Sequence, residues 1–301
     1  MTAQTPAAPV APAARPASAA ARRERLRAIL AGGACVHPAS TWDPISARIA
    51  QDVGYELAIL AGSVASNSTL AAPDLIVLTL TEFADQVRRI MRASTLSLLV
   101  DADHGYGNAL NVMRTVEELE HSGVSALSIE DTVLPLQFGQ TKDALISTAE
   151  MVGKLKGAVK ARRDPTLIIA GRTSALKVEG TEAACARAKA YADSGVDCIF
   201  VVGAETLDQI EAVHKASGLP LIVGSAPASL KPSDIAARGG RVLLTGHQPI
   251  AAAAKALRET YTHLKNGGAA ADLKDRIFSA KEMDAITRGA EHKQWIADYL
   301  K

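Results

Sequence analysis

Three absences narrow this sequence before any motif is considered. Net charge is nearly missing, since 33 Lys and Arg against 32 Asp and Glu leave +1. Nothing electrostatic therefore draws the chain to nucleic acid or to an anionic membrane. Cysteine is scarce: Cys35, Cys185 and Cys198 are too few and too scattered for a disulfide framework or a zinc site, and they suit a reducing cytoplasm. No uninterrupted apolar run approaches the roughly 20 residues that a membrane span needs. Locally, acid is missing too. No Asp or Glu precedes Glu24, and the opening stretch is mostly Ala, Pro, Thr and Ser, with prolines at 6, 9, 12 and 16. Residues 1–21 read as a disordered Ala/Pro-rich tail, and the prolines also argue against the amphipathic helix of a transit peptide. What remains, 22–301, reads as one catalytic-sized domain in a chain that is 48% apolar.

From Ala34 onward, short apolar runs alternate with amphipathic stretches. Residues 34–37, 57–61, 96–100, 126–130, 166–171, 198–202, 219–223 and 241–245 read as strands. Between them lie helix signals. Asp43-Pro44 supplies an N-cap and an N1 proline, with Ile45, Ile49 and Val53 striping the helix that follows. Ser147 and Glu150 offer a capping box, and Ile250, Ala254, Leu257, Tyr261 and Leu264 form a last long stripe. Eight such units fit a (β/α)8 TIM barrel, with an additional C-terminal helical segment over about 280–300. A doubly wound open sheet rarely needs so many.

The third run ends in Asp101-Ala-Asp103-His104-Gly105-Tyr-Gly107. Strand alternation aims Asp101 and Asp103 the same way, so they repel each other unless a cation intervenes. A hard ion such as Mg²⁺ suits carboxylate oxygen; an acidic turn capping the next helix suits the same spacing, which leaves both open. Barrel geometry gathers further candidates at C-terminal strand ends: Ser63, Glu130 with Asp131, Arg172, and His247. Each has an ordinary reading. Arg172 could be an ion-pair partner and His247 a helix cap. Ser63 reads as part of a Ser/Thr/Asn-rich loop over 62–69, Trp42 as packing, and His104 as pointing away from the acids.

At this point the residues resemble a known family. Asp101–Asn108 is similar to the metal-binding signature of the phosphoenolpyruvate mutase/isocitrate lyase superfamily, and Ile129-Glu130-Asp131 to the end of its fourth strand. Trp42–Ala50, Ala61–Ser66, Leu70–Asp74 and Gly105–Thr115 resemble its oxaloacetate decarboxylase branch, and the likeness spans about 24–300. It implies Asp101 as a direct Mg²⁺ ligand, with Mn²⁺ as the substitute ion, and Asp103, Glu130 and Asp74 as acids holding metal-bound water. It implies Ser63 as the grip on the substrate carboxylate. Arg172 and His247 become the substrate-contacting, catalytic arginine and histidine. The implied reaction is decarboxylation of a 2-oxo acid, oxaloacetate, through a metal-stabilised enolate to pyruvate and CO2. The implied assembly is a homotetramer that exchanges its eighth helix, with no nucleic-acid or membrane partner.

Two departures matter. Lyases of the family that cleave larger skeletons carry a cysteine in the loop after strand four, whereas Thr132–Lys142 has none. The loop after strand seven reads Gly224-Ser-Ala-Pro227, where relatives place an aromatic hydroxyl. A phosphonopyruvate hydrolase or mutase stays open, as does a barrel that binds a 2-oxo acid without turning it over.

Overall fold

The computed structural model describes residues 17–301. Most of the expected disordered tail, residues 1–16, lies outside the described residues. Residues 19–21, expected to belong to that tail, are instead helical: the first helix runs from Ala19 to Ala31. Ser18 caps it by accepting a hydrogen bond from the Ala21 amide at 3.1 Å, and three alanines then carry the helix outward to that cap.

Eight strands follow: β1 Ala39–Ser40, β2 Leu57–Leu60, β3 Ser97–Asp101, β4 Ala126–Glu130, β5 Ile168–Thr173, β6 Cys198–Val202, β7 Leu221–Gly224 and β8 Gly240–Leu244. All neighbours pair in parallel and in sequence order. Val36 closes the ring against β8, its amide donating to Arg241 O and its carbonyl accepting from Leu243 N, both at 2.9 Å. The expected first strand, 34–37, is thus split. Val36 serves β8 and Ala39–Ser40 serve β2, because the intervening Pro38 has no amide to continue a ladder. The architecture is a (β/α)8 barrel.

Side-chain alternation sorts each strand into two cores. Leu60, Val100, Ile129, Ile169, Val201 and Val223 point outward and pack under the helix layer. Leu57, Ile59, Leu99, Ala126, Ile168, Ala170, Cys198, Phe200, Ile222 and Val242 point inward and fill the barrel, with Leu26 and Leu30 of the first helix plugging its lower end. Carried one step further, the inward series brings Asp101, Glu130, Arg172, Val202, Gly224 and Leu244 to the upper mouth.

Two further expectations need correction. Residues 62–69 are not a loop: Gly62–Leu70 is a helix, nucleated on the buried Val64 and Ala65 despite its loop-like composition. The single C-terminal helix is two, Ala280–Ile286 and Gly289–Tyr299, broken at Arg288 with φ 61°. Arg288 leaves the helical path and donates to both Asp52 carboxylate oxygens, at 2.6 and 2.9 Å, tying the tail to the Pro44–Val53 helix.

The first helix closes the barrel floor with arginines. Arg22 donates to Ser94 O at 2.7 Å, Arg27 to Thr166 O at 2.8 Å, and Arg23 to Val124 O at 2.9 Å and Glu120 O at 3.0 Å. Arg23 is buried and also bridges Asp164. Arg23→Ala is expected to strip two buried carbonyls and one carboxylate of their donor, lowering stability by about 2–3 kcal/mol. Chemical denaturation checks the loss. Catalytic constants should stay near normal, because the floor lies at the opposite end from the mouth.

Candidate active site

The mouth is one chamber with two lobes. A cavity of about 590 Å³ is lined by Ser63, Asp74, Asp101, Arg172 and His247 among others. A second, of about 250 Å³, is lined by Asp74, Asp101, Asp103, Glu130 and Arg172. Asp74, Asp101, Arg172 and Val202 form the wall they share. The seven side chains that the family resemblance implies for the site therefore face one chamber, drawn from three strand ends and the segments after β2 and β8.

Arg172 is its centre. One terminal nitrogen of its guanidinium is hydrogen-bonded to Asp101, and the other lies 3.3 Å from Glu130. Ser128, the register partner of Asp101, donates to it at 3.1 Å, and Thr132 donates to Glu130 at 2.9 Å. Asp103 takes a positive φ of 48°, and its backbone carbonyl accepts from the Glu130 amide at 2.8 Å, which locks the third and fourth strand ends together. Gly62 is what lets Asp103 sit there: a side chain at 62 would collide with the Asp103 carboxylate.

The charges are unbalanced. Burial, then Asp101, raises the pKa of Asp74. Burial, then Asp101, Glu130 and Asp74, push Asp103 well above the usual carboxylate range. Burial also raises Glu130, against the pull of Arg172. For Arg172 itself burial works against the charge, but Asp101 and Glu130 overcome it and hold the cation more firmly. The buried hydroxyl of Tyr106, raised by burial and by Asp103 and Asp101, has no hydrogen-bond partner. The smaller lobe thus wants more positive charge than one guanidinium supplies.

An all-oxygen donor set of this kind suits a hard divalent cation. Among the described residues, no three His, Cys, Asp or Glu side chains converge closely enough to hold one ion directly. The fit is therefore to an ion that keeps most of its own water and meets the carboxylates largely through it.

Across the larger lobe, His247 stands at the N-cap position of helix Gln248–Lys265 without capping it. Its Nδ1 instead meets the Ser40 hydroxyl at 2.8 Å. Burial lowers its pKa, against the pull of Asp101 and Asp74. Ser63 lies in the first turn of Gly62–Leu70, where no side chain caps the free amides. Those amides and the helix dipole make a ready seat for a carboxylate.

Comparison with known proteins is informative over most of the chain. The model of the family described as phosphoenolpyruvate phosphomutase matches residues 26–265. The chain belongs to the phosphoenolpyruvate phosphomutase family. A relative from Bradyrhizobium sp. strain BTAi1, named oxaloacetate decarboxylase, is 50% identical over 284 residues, covering 93% of this chain and 98% of that one. A solved phosphonopyruvate hydrolase, in complex with oxalate and Mg²⁺, superposes with TM-score 0.82 at 28% identity over 93% of this chain and 99% of its own. An oxaloacetate acetylhydrolase, solved with 3,3-difluorooxalacetate, gives TM-score 0.81 at 26% identity over 95% of this chain and 98% of its own.

Within this phosphomutase-family barrel, several supporting residues escaped the sequence reading. Ser128 and Phe200 are the register partners of Asp101 and Arg172, so strand alignment alone would have found them. Ser40 and His37 line or brace the mouth from the split first strand, which periodicity could not place. Asp131 was grouped with the mouth acids, but alternation turns it outward. It is fully buried and accepts from the Thr173 and Tyr191 hydroxyls, each at 2.7 Å.

The raised acids predict a pH dependence of stability. Above about pH 4 the unfolded chain has released these protons while the native state retains them. Stability of the metal-free protein then falls as pH rises through that interval. A bound divalent cation favours the deprotonated acids and offsets the loss. The gain in thermal midpoint on adding Mg²⁺ should therefore be larger at pH 7.5 than at pH 5.5. A gain that is flat or inverted with pH would remove these acids from the cation site.

Proposed function

We propose that this chain is a Mg²⁺-dependent decarboxylase that converts oxaloacetate to pyruvate and CO2. The observation that carries the reading is the guanidinium of Arg172, fixed between Asp101 and Glu130 at the junction of an acid lobe and a substrate lobe. The Bradyrhizobium relative's name, at 50% identity over nearly the full length, supports the substrate. The phosphonopyruvate hydrolase solved with oxalate and Mg²⁺ supports the ion.

Asp101 would hold Mg²⁺ directly, and Asp74, Asp103 and Glu130 would hold it through water. Bound there, the ion supplies Lewis acidity toward a 2-oxo acid. The amides and hydroxyl at Ser63 receive the C1 carboxylate. As the C3–C4 bond breaks, its electron pair moves toward the C2 oxygen and C4 leaves as CO2. Arg172 offers its fork to the oxygen where charge grows, and it keeps its own charge because its neighbours are acids. A proton then returns to C3, from solvent or across the mouth from the His247 side.

The loop after β4 bears on the rival reactions. It folds back on itself, with Thr132 and Leu145 bridged antiparallel, and brings Leu134, Asp143 and Leu145 over the acid lobe, with no cysteine among them. Decarboxylation needs no acid there to protonate a leaving carbon skeleton. A cysteine-dependent lyase does.

The same proposal includes a homotetramer with an exchanged eighth helix. Helix Gln248–Lys265 has no buried residue, and Leu257, Tyr261 and Leu264 lie exposed on it. A cytoplasmic setting agrees with three free cysteines. Among the described residues no helix is long and apolar enough to cross a membrane.

Asp101→Ala is expected to abolish Mg²⁺-dependent pyruvate formation while leaving circular dichroism unchanged. A folded variant with near-normal turnover would overturn the metal assignment.

His247→Ala should cost roughly 10²-fold in kcat/KM, the scale of a positioned acid/base or orienting group. It should leave the affinity for oxalate, which mimics only the enolate end, largely intact. Loss of oxalate binding with turnover preserved would place His247 at the metal end instead.

A further inference from the structure

Among the described residues that line the substrate lobe, Phe200 is the one bulky aromatic hydrocarbon. Register brings it there, since β5 and β6 pair Arg172 with Phe200 and both side chains point inward. The guanidinium carbon of Arg172 stands 5.1 Å from the centre of the Phe200 ring. The Arg172 Nε is buried and has no hydrogen-bond partner. The side chain is therefore held by two carboxylates at its tip and by one ring face beneath it.

Gly224 completes the arrangement. A Cβ at 224 would lie 2.8 Å from Phe200 Cε2, so the ring occupies space that only glycine leaves free. The segment after it, Ser225 at φ 56° followed by Ala226 and Pro227, brings only small side chains to the cavity wall. The aromatic group at this mouth comes from β6, not from the loop after β7.

We infer that Phe200 is a positioning residue that confines Arg172 to the carbonyl end of the substrate and walls the departing carboxylate with hydrocarbon. The inference rests on the decarboxylase reading above. That reaction removes a charge at C4 and creates one at the C2 oxygen. A guanidinium resting on the C4 carboxylate would stabilise the charge that must vanish, and would slow its loss. The wall of Phe200, Val202 and Leu244 does the reverse, because it disfavours the carboxylate more than neutral CO2. Stacked on the ring, Arg172 keeps both terminal nitrogens turned toward Asp101 and Glu130, the side on which charge develops.

The test uses the Mg²⁺-loaded full-length protein and the variants Phe200→Ala, Phe200→Leu and Gly224→Ala. Steady-state decarboxylation of oxaloacetate is corrected for the spontaneous rate and compared with oxalate affinity and thermal midpoint. Phe200→Ala is expected to lower kcat roughly 10-fold or more, the scale of a desolvated cation–π contact. KM should stay level or fall, because a released Arg172 can grip the distal carboxylate in the ground state. Oxalate affinity should change little. Phe200→Leu, which keeps hydrocarbon but loses the ring face, should fall between. Gly224→Ala, which displaces the ring without removing it, should lower kcat in the same sense, so the test does not hang on one variant folding. Preserved kcat in Phe200→Leu and Gly224→Ala, with only a lower thermal midpoint, would reduce Phe200 to core packing. A raised KM with unchanged kcat would make it a simple binding wall. A wild-type protein that leaves oxaloacetate untouched would instead overturn the decarboxylase reading, before any variant is compared.

Discussion

Arg172 sits between Asp101 and Glu130 and above Phe200, and the charge balance of the barrel mouth turns on that placement. Four carboxylates face two adjoining lobes. One permanent cation in their midst keeps part of that charge compensated in the protein alone. The remainder is an unmet demand, expressed as raised pKa values on Asp74, Asp103 and Glu130. Lysine could not substitute, because a point charge cannot touch two acids on different strands while stacking on a ring.

The mouth is held at some cost to local stability, and the opposite end of the barrel supplies compensation. Below, the first helix seats Leu26 and Leu30 against the inner core and turns Arg22, Arg23 and Arg27 onto strand-end carbonyls. Those arginines lie where no reaction occurs, and each donates to at least one backbone carbonyl of the floor. Behind the mouth, Asp131 is sealed by Thr173, Tyr191 and Arg187, and Arg187 is clamped in turn by Glu179 at 2.8 and 2.9 Å. Because the Asp131 amide also donates to Arg172 O, this buried network fixes the two strand ends that carry Glu130 and Arg172. The hydrogen-bonded network behind the mouth thus backs the uncompensated acids in front of it.

Much of this was legible in the amino-acid pattern. Apolar runs located all eight strands to within two residues or so, except where Pro38 divides the first between two neighbours. Once the strands were counted, their C-terminal ends named Ser63, Asp101, Asp103, Glu130, Arg172 and His247, all of which line the chamber, whereas Asp74 came only through the family resemblance. What escaped was set by tertiary context. The Gly62–Leu70 segment has the composition of a loop, and only burial of Val64 and Ala65 makes it a helix. The break at Arg288 depends on Asp52, more than two hundred residues earlier, which no local pattern can encode. The Ser40–His247 contact spans a similar distance.

Phe200 shows most clearly why a site list drawn from polar residues is incomplete. By composition it is one more inward hydrocarbon in a barrel core, and its burial at 3% exposure says nothing else. Its meaning comes from three neighbours: the guanidinium on one face, the missing Cβ of Gly224 at its edge, and the small side chains of the segment after β7. A reaction that trades a carboxylate for CO2 gains from hydrocarbon at one end of the substrate and from cations at the other. This barrel separates the two by the width of a single lobe. The residue at the boundary therefore has to touch both: Phe200 presents its face to the Arg172 guanidinium and adds hydrocarbon to the wall of the substrate lobe. An aromatic ring does that; neither an aliphatic side chain nor a hydroxyl can.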